Sequence, residues 1–345
     1  MNLPQIPDSL KWAGTSTAEQ DVFKKLMNNQ ELTSDDIVIL DSGYIFLKKS
    51  IKELKSIDAN QLEDHDIPIL KEYLRQIFNT SQYFQNVIDV AILHRMVWIR
   101  DFNEENGKIR SPQSLSFTCV DIVKNNGWYG RANSNESTCL YLAESEQTAV
   151  FECKPKVGER IVLTRWRPKE SIGHNNDYYN QIVCYPINSV EQINDWVNHA
   201  SNGLQKALKD GNPYVTRLIK LTQEFIGHEF TKDIPIKSEK RYEYFFSAYF
   251  ADLIWNSLDV ANERLGLKEY DGIIYPSIAN SYKYQNIALR EASVSKFEPF
   301  YCEEMIVEKT GYEFFDGEKD HLPIEAKSIR KSVNITEDKI VWDDD

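Results

Sequence analysis

Cysteine, glycine and proline are all scarce in this chain, and each scarcity closes off a class of protein. The five cysteines stand at positions 119, 139, 153, 184 and 302, an odd number with no Cys-x-x-Cys spacing. A disulfide scaffold or a cysteine-rich zinc site is not built that way, so the expected location is a reducing cytoplasm. Fourteen Gly and 12 Pro in 345 residues exclude collagen-like and low-complexity chains. No apolar run approaches the ~20 residues that cross a bilayer, and the first twenty residues carry no apolar signal core. Basic residues are also in deficit, 40 Lys+Arg against 53 Asp+Glu, for a net charge of −13. Attraction to phosphate backbones or anionic lipid needs a basic surface, so neither nucleic acid nor membrane is an expected partner.

Aromatic residues are plentiful: 18 Tyr, 16 Phe and 7 Trp. They supply apolar surface for a sizeable core and exclude a disordered chain. Charge is uneven. Residues 91–170 hold 12 Lys+Arg against 10 Asp+Glu, while the remainder holds 28 against 43. The centre of the chain is thus its least acidic part, as a pocket for a small anion requires, although an internal ion-pair network gives the same count.

Hydrophobic spacing predicts a mostly helical, polar front over 1–85, with helices at 17–29 and 66–80. The run 90–100 reads as a buried strand into which His94, Arg95 and Arg100 are set, and buried arginines must find partners. After a loop-rich stretch, 137–143 alternates Cys139, Tyr141 and Ala143 with Leu140 and Leu142, a strand with two distinct faces. Ser145 is placed to cap a helix over 145–154 that carries Thr148 and Glu152 on one face. Pro155 and Gly158 close that helix, and 159–166 is a further strand. Residues 167–240 are polar and read as an insertion with helices near 189–209 and 213–230. A long amphipathic helix over 242–266, strands at 270–277 and 284–292, and a strand-rich tail complete the chain. Short strands mixed with helices, without regular βαβ spacing, predict an α+β fold. The expected division is a helical extension over 1–85, a core domain over 86–300 and a tail over 301–345.

Gly-x-Gly-x-x-Gly, P-loop, His-Glu-x-x-His and Gly-x-Ser-x-Gly signatures are all missing. The six histidines show no metal-ligand spacing, and Asp64-His65-Asp66 reads as a solvated turn before Pro68. What remains is a set of polar residues at strand ends in apolar surroundings: Arg95, Arg131, Tyr141, Glu152 and Ser277. Each has an ordinary structural explanation: ion-pair arginines, a core tyrosine, an exposed helical glutamate, a turn serine.

Together these residues follow a pattern. His94-Arg95, Gly130-Arg131, Tyr141-Leu142-Ala143 and Thr148-Ala149-Val150-Phe151-Glu152 are followed by Asp271-Gly272-Ile273-Ile274-Tyr275-Pro276-Ser277 and Asn286-Ile287-Ala288-Leu289. Over about 88–167 and 240–292 the chain resembles the RES domain family, the toxins of RES–Xre toxin–antitoxin pairs and related NAD-consuming proteins. The chain departs from the family where Ala132 replaces a Trp in the Gly-Arg-Trp-Asn loop, and in its larger front extension and insertion.

The resemblance implies an ADP-ribosyltransferase-like split β-sheet with a cleft for NAD between its halves. It implies cleavage of the nicotinamide–ribose bond, with NAD as substrate and no metal. Glu152 would stabilise the oxocarbenium-like ribose, Arg95 and Arg131 would grip phosphate or ribose oxygens, and Tyr141 would wall the pocket. Ser277 and Asn286 would contact the ribose or a phosphate. Water, inorganic phosphate or a protein side chain could be the acceptor. An Xre-like antitoxin or a second copy of the chain would be the protein partner. The alternatives are a non-catalytic interaction or regulatory module that keeps the cleft, and a hydrolase pairing Glu152 with Glu144 or Glu146, which would sit at an exposed helix start.

Overall fold

Thr33 accepts a hydrogen bond from the Asp36 N–H, and the Asp36 carboxylate returns one to the Thr33 N–H. This capping box starts the longest helix of a computed structural model that describes residues 17–27, 30–78, 85–87, 93–98, 108–118, 120–127, 129–169, 179–182, 209, 212–234, 242–256, 270–279, 284–312 and 322–345. Three helices come first: α1 (Thr17–Met27), α2 (Ser34–Lys55) and α3 (Asp66–Phe78). Then follow α4 (Val120–Asn126), α5 (Glu146–Cys153), α6 (Pro213–Phe230) and α7 (Phe245–Asn256). The predicted helix at 189–209 and the end of the predicted helix at 257–266 lie outside the described residues, apart from Lys209. Among the described residues no helix is long and apolar enough to cross a membrane.

The strands are β1 (Gln85–Val87), β2 (Leu93–Trp98), β3 (Cys139–Ala143), β4 (Arg160–Pro168), β5 (Tyr179–Ile182), β6 (Gly272–Pro276), β7 (Gln285–Arg290), β8 (Phe297–Thr310), β9 (Ile324–Ile335) and β10 (Ile340–Trp342). They run in the order β1-β5-β6-β7-β3-β2-β4-β8-β9-β10. Neighbours are antiparallel except β5 and β6. The mixture of helices with a largely antiparallel sheet is an α+β fold.

The two faces of the sheet follow from the period of two. Cys139, Ile273, Tyr275 and Ala288 point into one core. Leu140, Leu142, Ile274, Ile287 and Leu289 point into the other, with Trp166 and Trp342. Strands buried on both faces read as continuous apolar runs, which is why 272–276 and 286–289 show no polar alternation. The first core is filled by the helices. Phe78 of α3 stacks on Phe225 of α6 at 5.7 Å and meets Phe250 of α7 edge-on at 4.9 Å. A third cluster packs Ala149 and Val150 of α5 against Met96, Ile161, Leu163 and Met305.

One expectation is corrected here. The segment 167–240 reads by its polarity as an insertion outside the core, yet α6 within it buries Phe225, Ile226 and Phe230 beside the front helices. Its polar residues cover the other side of an amphipathic helix, and average polarity hides such a stripe.

The sheet is thinnest at its middle. Strands β2 and β3 are joined by a single pair, His94 with Ala143. An antiparallel ladder would continue through Arg95 with Leu142 and Met96 with Tyr141, and those pairs are not made. On its other edge β2 pairs with β4 along its whole length. The gap between β2 and β3 is therefore a feature of that boundary alone.

Candidate functional site

A cavity of about 330 Å3 fills the gap, and Arg95, Arg131, Tyr141, Glu152 and Asn286 all line it. Residues from two strands of one half-sheet, one strand of the other, a helix and a loop thus meet at one opening. The size falls within the ~300–1,000 Å3 common for ligand pockets.

Glu152 arrives on α5. Ser145 caps that helix by accepting the Thr148 N–H at 3.1 Å, and Lys154 ends it in the left-handed conformation at φ 47°. The helix therefore starts and stops so that Glu152 is its next-to-last residue, beside the sheet gap. Two donors hold one carboxylate oxygen: Ser277 Oγ and Asn286 Nδ2 each reach Glu152 Oε1 at 2.6 Å. The other oxygen, Oε2, takes no hydrogen bond from any described residue. The carboxylate is thus fixed on one side and open on the other.

Ser277 does not line the cavity. It is fully buried, with its N–H on the Tyr284 carbonyl at 2.9 Å, and it stands behind Glu152. The expected direct contact with ribose or phosphate is corrected to a positioning contact, because the serine follows the last residue of β6 and reaches no further than the carboxylate. Asn286 both lines the cavity and holds Glu152.

Tyr141 is locked by its hydroxyl. Oη donates to Asn133 Oδ1 at 2.9 Å and accepts the Ala132 N–H at 2.7 Å. Burial pushes the phenol well above its ordinary pKa, so it stays protonated. Gly130 makes this possible: a Cβ there would lie 2.3 Å from Asn133 Oδ1 and 2.6 Å from Tyr141 Oη. Ala132 is fully buried in the helix-filled core and does not line the cavity. Its contribution to the site is its N–H.

The two arginines differ. Arg131 gives Nη1 to the carbonyls of Phe230 (2.5 Å) and Lys232 (3.2 Å), and Nη2 to the Lys232 carbonyl (3.2 Å) and Tyr244 Oη (3.4 Å). Its four terminal N–H groups are all engaged, and the guanidinium lies 4.9 Å from the Tyr244 ring centre and 5.9 Å from that of Tyr275. The expectation that Arg131 grips phosphate or ribose oxygens is corrected accordingly: Phe230, Lys232 and Tyr244 already take those donors. Arg95 has one long contact, from Nη1 to the Tyr141 carbonyl at 3.5 Å, and its covered Nε has no partner. Burial pulls its pKa down.

No family model, no curated protein and no solved structure matches this chain.

Several competing assignments lose their footing in the cavity. Glu146 is paired with Arg165 at 2.7 Å, and Glu144 Oε2 accepts from the Gln285 N–H at 3.4 Å. Neither lines the cavity, so a paired-carboxylate hydrolase lacks its second acid among the described residues. Cys153 does line it, but burial pushes that thiol up to about 12, far from a nucleophile's range. Among the described residues no three His, Cys, Asp or Glu side chains gather as metal ligands. His65 lies between Glu63 and Asp66, exposed, as its loop position predicts.

Two cavity residues escape sequence reasoning as site members. Tyr244 and Tyr275 form an aromatic wall around Arg131, and burial raises the pKa of both phenols. Tyr275 lies within the Asp271–Ser277 segment that carries part of the resemblance, so a signal was available. Tyr244 stands in a turn just before α7 and carries none.

Proposed function

We propose that this chain cleaves the bond between nicotinamide and ribose in NAD, as its resemblance to the RES family implies. The observation that carries the reading is Glu152: a carboxylate held at Oε1 by Ser277 and Asn286, open at Oε2, in a cavity also lined by two guanidinium groups.

The chemistry follows from charge. When the C1′–N bond breaks, its electron pair goes to the pyridine nitrogen, and the ribose is left with oxocarbenium character. A carboxylate already oriented beside C1′ stabilises that charge without having to reorganise. The cations serve the phosphates, Arg95 by direct contact and Arg131 by its field. Tyr141, Tyr244 and Tyr275 give the nicotinamide ring an aromatic enclosure. Water completes the reaction by adding to C1′ and losing a proton; phosphate or a target protein's side chain would attack the same carbon. The sheet gap supports the split-sheet, ADP-ribosyltransferase-like architecture that the resemblance implies, and an Xre-like partner would act by covering this opening.

The test is release of nicotinamide from NAD by the purified chain. Glu152→Gln should lower turnover by about 10²–10³-fold with an unchanged thermal unfolding midpoint. Unchanged turnover in that variant removes Glu152 from the mechanism, and a wild-type chain that releases no nicotinamide overturns the reading.

A further inference from the structure

Opposite charges face the same cavity here without pairing. Glu152 is held by neutral donors, Ser277 and Asn286. Arg95 contacts only a carbonyl, and its Nη2 meets no described residue. No ion pair joins the two among the described residues, although a buried cation and a carboxylate that could meet would do so. Such an arrangement is complementary to a ligand that carries a cation and an anion of its own, close together.

The count of free donors limits that ligand further. Arg131 has committed its four terminal N–H groups to the Phe230 and Lys232 carbonyls and to Tyr244. Arg95 is then the one guanidinium lining the cavity with a terminal nitrogen to spare. One free guanidinium edge suits one phosphate group. The cavity, about 330 Å3, also lies at the small end of ligand pockets.

We infer that the recognised unit is a nicotinamide mononucleotide: the pyridinium-ribose end beside Glu152, its single phosphate on Arg95, and the adenosine half of a dinucleotide outside the cavity. This rests on the proposed NAD cleavage and narrows it to a substrate class. The chain then accepts the mononucleotide as well as the dinucleotide. With water as acceptor the step balances: the C1′–N bond breaks with its electron pair going to nicotinamide, the water oxygen bonds to C1′, one proton is released, and ribose 5-phosphate is the second product. The nucleoside lacking phosphate has nothing to place on Arg95 and is a poor ligand.

The experiment compares NAD, nicotinamide mononucleotide and nicotinamide riboside. Nicotinamide release is followed with the wild-type chain, and binding is followed by calorimetry with Glu152→Gln, in which Arg95 is untouched. The mononucleotide should bind within about tenfold of NAD, and the riboside roughly 10–100-fold more weakly than the mononucleotide, the worth of a charge-assisted hydrogen-bonded pair. Arg95→Met should erase the preference for mononucleotide over riboside; the ligand series in the Arg95-containing chain decides the matter even where that variant fails to fold. NAD binding without mononucleotide binding, or equal binding of riboside and mononucleotide, overturns the inference. Mononucleotide binding with the expected preference but no nicotinamide release by the wild type leaves the inference standing and overturns the cleavage reading instead.

Discussion

Removing the hydroxyl of Ser277 tests whether Glu152 works as a positioned carboxylate. The perturbation is small and local. Ser277 is fully buried, its side-chain partner is Glu152 Oε1 at 2.6 Å, and its N–H bond to Tyr284 is unaffected by the side chain. A hydrogen bond to a charged group contributes about 1.5–3 kcal/mol. Asn286 remains on the same oxygen in Ser277→Ala, so the carboxylate is loosened rather than released. At 1.36 kcal/mol per tenfold, kcat for nicotinamide release should fall about 10–100-fold. KM should change little, because Ser277 lies behind the cavity wall and touches no ligand. Ser277→Thr keeps the hydroxyl and should restore much of the loss. The decisive measurement is a double-mutant cycle. If Ser277 acts only through Glu152, then Ser277→Ala adds nothing to the loss already caused by Glu152→Gln. Independent losses in the double variant, or full activity in Ser277→Ala, would refute the reasoning.

Two further outcomes follow from the structure. Gly130→Ala drives a methyl into Asn133 Oδ1 and Tyr141 Oη; urea denaturation should show a loss of about 1–3 kcal/mol, as for other overpacked sites, and unchanged stability would mean that the Tyr141 loop is not fixed in this way. At high pH the buried thiols Cys139 and Cys302 should weaken the fold. Burial raises both from 9.0 to about 12, so the folded chain keeps protons that the unfolded chain gives up. The stability present below pH 9 is lost as the pH rises toward about 12, visible as a urea midpoint lower at about pH 11 than at about pH 8; a midpoint that rises over that range contradicts the sign.

The parts of the fold legible in the sequence are those set by local periodicity and capping. The two faces of β3 follow from the alternation of Cys139, Tyr141 and Ala143 with Leu140 and Leu142, and both faces are observed. The start of α5 follows from Ser145, and its end from the residues around Pro155 and Gly158. The sheet gap has no local signature, because it consists of pairs that fail to form across residues far apart in the chain. That α6 packs into the helix-filled core was equally hidden, since its apolar stripe lies among polar residues. For the site, residue type was legible and role was not. Arg95, Arg131, Tyr141, Glu152 and Asn286 line one cavity. Whether each faces a ligand or a neighbour depends on partners such as Phe230, which stands 99 residues from Arg131.

The two arginines show why that distinction matters physically. The carbonyls at the end of a helix lack intrahelical partners and carry its negative dipole end. Arg131 closes the end of α6 at Phe230 and Lys232 while lying near two tyrosine rings. A planar group with fork-like donors does this, and lysine cannot. Its removal should therefore be felt first as lost order between α6 and the cavity wall. Arg95 is in the opposite condition. The parting of β2 from β3 leaves the Tyr141 carbonyl without a ladder partner, and Arg95 meets it only at 3.5 Å while its Nε stays covered and unbonded. An unsatisfied buried donor costs about 1–3 kcal/mol. Native chains keep such groups where another task requires them. Of these two arginines, the one at the end of α6 has its terminal nitrogens taken by the protein, and the one with an unpartnered Nε is left facing the cavity.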